Sequence, residues 1–134
     1  MEEHEIIRSM IKSENELINH RLTWMATLNG LLFTGLGFAW GKPDTKALVF
    51  VFAILGVAVS VLSEAALFTA NQALHKQYDW WQANKPSHYT GPDVIGLPPL
   101  RKGFRRWITP WTLLPVCFIF GWTAIFIINV TKVA

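Results

Sequence analysis

Three stretches of the chain, Leu22 to Gly41, Ala47 to Ala70 and Trp107 to Thr131, are almost free of charge. Each is long enough as a helix to cross the ~30 Å hydrocarbon core of a bilayer. The middle stretch, ALVFVFAILGVAVSVLSEAALFTA, carries one charge, Glu64. The pattern therefore predicts an all-α integral membrane protein with three transmembrane helices, forming one membrane domain over residues 1–134.

Ahead of the first span, Ile7, Ile11, Ile18 and Leu22 recur on one helical face, with Met10 and Leu17 at its edge. No Gly or Pro interrupts the chain before Gly30. Residues 1–21 are thus expected to form an amphipathic helix continuous with span 1 (22–41), whose apolar stripe needs a partner. Glu14 and Arg21 lie on or beside that stripe. A second reading, an amphipathic helix lying on lipid, stays open.

Span 1 places Ala26, Gly30, Thr34, Gly37 and Gly41 three or four residues apart, and span 2 (47–70) does the same with Ala53, Gly56, Ser60 and Ser63. Small faces let helices approach closely in lipid, and the short GKPDTK connection requires an antiparallel hairpin. Packing through both small faces is the expectation. Residues 71–106 should continue the second helix as far as Pro86, with Tyr78, Trp80 and Trp81 near the headgroups. A loop rich in Pro and Gly follows. Its tail, Arg101, Lys102, Arg105 and Arg106, is a candidate contact for anionic lipid. Span 3 (107–131) opens on Pro110, and Pro115 one turn later is expected to bend it. Its bulky face, Phe118, Phe120, Trp122, Phe126 and Ile127, reads as lipid-exposed and peripheral.

Composition sharpens this picture: 51% of the 134 residues are hydrophobic and only 16% charged. Of the 12 Lys and Arg residues, three precede span 1, two sit in the first turn, six lie between spans 2 and 3, and one is Lys132. The positive-inside rule then predicts a cytoplasmic N-terminus and an external C-terminus. The net charge of +3 is explained by topology, which leaves no basic surface for nucleic acid. The acidic, mixed start lacks the form of a cleaved signal, so span 1 is read as retained. Cys117, without a second cysteine, is read as a small packing residue.

Chemistry is sparse. His4, His20, His75 and His88 have no metal-binding spacing, and no phosphate loop or nucleophile elbow is present. Neither an enzyme nor a cofactor is expected. The exception is Glu64, a carboxylate within a span. At 1.5 Å per residue it falls near the cytoplasmic interface, level with Arg21 and Trp24. Either a charge-assisted Arg21 to Glu64 pair forms, or Glu64 points into the headgroups.

The run Glu14-Asn15-Glu16-Leu17-Ile18-Asn19-His20-Arg21-Leu22-Thr23-Trp24, followed by Gly30-Leu31-Leu32-Phe33, resembles the opening of small, functionally unassigned bacterial membrane proteins with an ENxLIxxRLTW head. The resemblance covers about the first third of the chain. It implies a bacterial inner-membrane location and singles out Glu14, Asn15, Arg21 and Trp24, without lending an activity. In architecture the chain is also similar to short membrane effectors of bacterial defence systems, which are thought to permeabilise membranes. The expectation is a homo-oligomeric channel or pore with Ile7, Ile11, Glu14, Ile18, Ala26, Gly30, Thr34 and Gly37 in the packing surfaces. The alternative is an accessory or scaffold subunit of a larger membrane complex. Membrane lipid, further copies of the chain and another membrane protein are the expected partners.

Overall fold

The computed structural model describes residues 3–91, 103 and 108–132. Its regular elements are all helical: α1 (Glu3–Ala39), a single 3₁₀ turn (Pro43–Thr45), α2 (Lys46–Asn84) and α3 (Pro110–Thr131). All three α-helices contain segments long and apolar enough to cross a membrane. At 1.5 Å per residue, α1 and α2 are each well over 50 Å long, so both overrun a ~30 Å hydrocarbon core by more than 20 Å. The two long helices thus run on together as an extension beyond the length a span requires.

Local chemistry sets the ends of these helices. Gly41, with φ of 79°, takes the left-handed conformation that closes α1 and that a side chain would strain. Pro43 then opens the 3₁₀ turn, and Thr45 Oγ1 donates to the carbonyls of Ala39 (2.5 Å) and Lys42 (3.0 Å). α2 stops at Asn84, because Pro86 disfavours helical backbone at Lys85; the Lys85 N–H closes the last turn on Trp81 O. α3 begins with Pro110 in its first turn, where the missing N–H costs nothing, and Thr109 N–H donates to Thr112 Oγ1 at 3.1 Å. Pro115 lies inside this one continuous helix.

α2 is the central element. It packs extensively against α1 and α3, whose backbones lie farther from each other and meet through a few long side chains. In the extension, Ile7, Ile11 and Ile18 are buried against Leu67, Ala70, Leu74 and Trp81, with Leu22, Tyr89 and Trp111 packed beside them. The apolar stripe of α1 is therefore covered by its own chain. Trp81, expected near the headgroups, lies inside this core at 1% exposure. Its ring meets that of Tyr89 edge to face, with centroids 5.2 Å apart. Arg8 donates to the Tyr89 hydroxyl, tying the start of α1 to the segment after α2.

The membrane half has a second core of Leu36, Ala39, Val49, Ala53 and Trp122. Here two expectations are corrected. Span 3 is not peripheral: Trp122 is fully buried and lies so close to Gly56 that a Cβ there would stand 2.2 Å from the indole. Phe120 and Ile127 on the same helix do face outward. Nor does the hairpin pack small face on small face. Ala53, Gly56 and Ser60 of α2 are buried, but Ala26, Gly30, Thr34 and Gly37 of α1 are exposed, and a Cβ on Gly30 or Gly37 would meet nothing within 4 Å. α1 turns Met25, Asn29, Leu36 and Ala39 inward instead, with a close approach at Gly35, where a Cβ would be 2.7 Å from the Phe52 ring. Cys117, expected to pack, is exposed.

Candidate functional site

The span sequences leave few polar groups, so the places where such groups are buried define the candidate site. Asn29, Ser60 and Trp122 lie near the midpoints of their spans and bring the three helices together. The Asn29 Oδ1 accepts from Trp122 Nε1 at 2.7 Å and, at a longer 3.5 Å, from Ser60 Oγ. Asn29 Nδ2 donates to Met25 O at 2.9 Å. All three side chains are fully buried, and Phe33 stacks on the Trp122 ring at 4.3 Å between centroids. With no water in the hydrocarbon core, such groups must satisfy one another. The cluster acts as a polar lock, and it leaves the interior of the single chain packed.

A second node lies closer to the extension. Buried Asn71 accepts from Trp111 Nε1 through Oδ1 at 3.3 Å, while its backbone oxygen pairs with His75 Nδ1 at 2.7 Å. The first node ties α3 to α1 and the second ties α3 to α2. At the far end of α3, Asn129 Nδ2 donates to Lys46 O at 3.3 Å, a third fastening.

Arg21 and Glu64 do stand at the same level, but they do not form the expected ion pair. Arg21 Nη1 instead donates to the backbone oxygen of Ala66 at 3.1 Å, two residues beyond Glu64. Glu64 is half-buried, with Oε2 shielded and without a hydrogen-bond partner. A helical carbonyl retains a second lone pair after its i+4 bond, which offers Arg21 a partner without desolvating a carboxylate. Arg21→Met is therefore expected to lower the thermal midpoint, while Glu64→Gln leaves it unchanged or raises it. In the double variant the two effects should add to within ~0.5 kcal/mol, as for uncoupled sites. A coupling energy above 1 kcal/mol in that cycle would restore the ion pair.

The remaining sequence candidates are placed as follows. Glu14 is half-buried at the edge of the extension core, whereas Asn15 and Trp24 are exposed. Lys12 and Glu16 form an exposed i,i+4 pair at 3.9 Å. Arg101, Lys102, Arg105 and Arg106 lie outside the described residues. Among the described residues, no three His, Cys, Asp or Glu side chains come together to hold a metal.

Sequence reasoning did not anticipate the Asn29–Ser60–Trp122 lock or the Asn71–Trp111 node. The available signal was position: a span midpoint is an expensive place for an amide or an indole N–H unless it has a partner. Comparison with family models, characterised proteins and solved structures finds no match.

Proposed function

We propose that this chain is a homo-oligomeric, multi-pass bacterial inner-membrane protein. Its α1 helices surround a common axis and form a channel or pore between copies, with the N-terminus in the cytoplasm. The supporting observation is the outward face of α1. Lys12, Glu16, Asn19, Thr23, Ala26, Gly30, Thr34 and Gly37 fall within about 40° of one meridian at 100° per residue, and all are exposed. Across the whole span this stripe contains no bulky apolar side chain. Such a surface suits another helix or water better than lipid tails.

The bulky exposed residues of α1 flank the stripe: Trp24, Leu31 and Phe38 are each at least 65% exposed. Thr23 and Thr34 donate their hydroxyl protons to the carbonyls of Asn19 and Gly30 at 2.9 and 2.8 Å. Their oxygens remain as acceptors along the face. Because the interior of each chain is filled by Trp122 and its neighbours, a conducting path belongs between copies.

Single cysteines at Ala26 or Thr34, in a Cys117→Ser background, are expected to crosslink to the same position of another copy in native membranes. Gly30→Leu and Gly37→Leu should reduce that yield roughly tenfold, equivalent to ~1.4 kcal/mol. Liposomes holding the purified chain should then pass small ions. Absent same-position crosslinks, with the chain recovered only in a hetero-complex, would assign the face to a different subunit. The orientation is checked with an impermeant thiol reagent on intact cells, which should fail to label a cysteine at His88.

A further inference from the structure

The end of the bundle where α1 turns into α2 holds a cavity that the proposed assembly does not use. It has a volume of about 400 Å³, within the ordinary range of small-molecule sites. Ala39, Trp40 and Val49 contribute apolar wall, and Lys42, Lys46 and Lys132 bring three positive charges to its rim. The three lysines come from three different places in the chain, the α1–α2 turn, the start of α2 and the end of α3. Asn129, through its bond to Lys46 O, holds the last two together.

Asp44 is the one carboxylate in the turn between Lys42 and Lys46, and it leaves an excess of positive charge among the described residues here. Among the described residues none of the three lysines is ion-paired, and Lys132 Nζ stands 5.0 Å from the centre of the Trp40 ring, a cation–π placement that keeps it beside the cavity mouth. The C-termini of α1 and α3 and the N-terminus of α2 meet at this end, so the positive field comes from the lysines and not from the backbone. The carbonyls that end α1 and α3 here are consumed locally: Ala39 O accepts from Thr45 Oγ1, and Ile128 O from the Lys132 N–H and Thr131 Oγ1. The Thr45 hydroxyl is turned to Ala39 O and Lys42 O and gives α2 no side-chain cap.

We propose that this cavity binds the phosphate of an anionic membrane lipid, with Lys42, Lys46 and Lys132 around the headgroup and the glycerol region against Trp40 and Val49. The site lies where the three apolar helical segments end, the level at which a span meets headgroups. A free inorganic anion would use the lysines but gain nothing from Trp40 and Val49. The cavity has room for a headgroup, not for two acyl chains, which stay in the bilayer.

Native mass spectrometry of the full chain, released from detergent with added phosphatidylglycerol or phosphatidylcholine, tests the site. Phosphatidylglycerol should be retained in preference to phosphatidylcholine. Each lysine replaced by Gln should weaken retention roughly fivefold, from ~1 kcal/mol per basic residue at an anionic surface. The triple Lys→Arg variant, which keeps the charge, should bind as the parent does, whereas Lys76→Gln on the extension should change nothing. Equal retention of the two lipids, or a triple Lys→Gln variant that binds like the parent, overturns the proposal. Inorganic phosphate that displaces the lipid at equal concentration would reassign the site to a soluble anion and overturn the lipid source.

Discussion

Gly56→Ala is expected to pry α3 from the hairpin and lower the thermal midpoint of the purified chain. The added Cβ would lie 2.2 Å from the fused edge of the Trp122 indole, a rigid ring held from behind by Phe33 and tethered through Nε1 to Asn29. The ring cannot swing aside without breaking that hydrogen bond, so the helix must retreat. Overpacking of this kind costs about 1–3 kcal/mol, and Gly56→Leu should exceed it. Trp122→Leu combined with Gly56→Ala should lose less than the sum of the two single changes, since the smaller side chain makes room. Gly30→Ala is the control: its Cβ meets nothing within 4 Å, and the monomer should melt as the parent does. Identical melting of the Gly56→Ala variant would refute the close approach.

Trp81→Ala should have the largest effect in the extension. The ring is 1% exposed and shares a core with Ile7, Ile11, Ile18 and Leu74. Truncating a buried aromatic of this size costs ~3–5 kcal/mol, and the extension has few other large buried side chains to absorb the loss. Hydrogen exchange should therefore accelerate over residues 5–18 and 71–84, while residues 48–62 and 112–128 keep their protection. That contrast follows from the two separate cores, one in the extension and one in the membrane half. Uniform acceleration over all three helices would mean that they open as one unit.

The length and order of the helices were legible in the sequence, because spans and breaks are written in hydropathy, Gly and Pro. The uninterrupted helix from Glu3 to Ala39 and the end of α2 ahead of Pro86 follow from those signals alone. Which face of a span meets protein was not legible. In the amphipathic extension the spacing of Ile7, Ile11 and Ile18 marks the buried side, because polar residues fill the opposite face. In the membrane, lipid tails are as apolar as a packed core, so hydropathy cannot distinguish Trp122 inside the bundle from Phe120 outside it. Small residues misled in the same way. Gly30 and Gly37 allow close approach, but nothing in their spacing says to which helix, and α1 meets α2 on another side. For Arg21 and Glu64 the shared level was readable from helical rise, whereas the choice of Ala66 O over the carboxylate depends on side-chain reach.

The Asn29–Trp122 hydrogen bond also sets a clock for biogenesis. Its partners are 93 positions apart, so at 5–20 residues per second the ribosome delivers Trp122 ~5–20 s after Asn29. During that interval the first two spans form a nascent hairpin whose mid-membrane amide oxygen has only the long contact to Ser60. An unsatisfied polar group in hydrocarbon is costly, and the newborn hairpin is thus marked as unfinished until its last span arrives. A chain truncated before Trp122 would leave Asn29 Oδ1 with that one long contact, and pulse-chase labelling should show it degraded faster than the full chain.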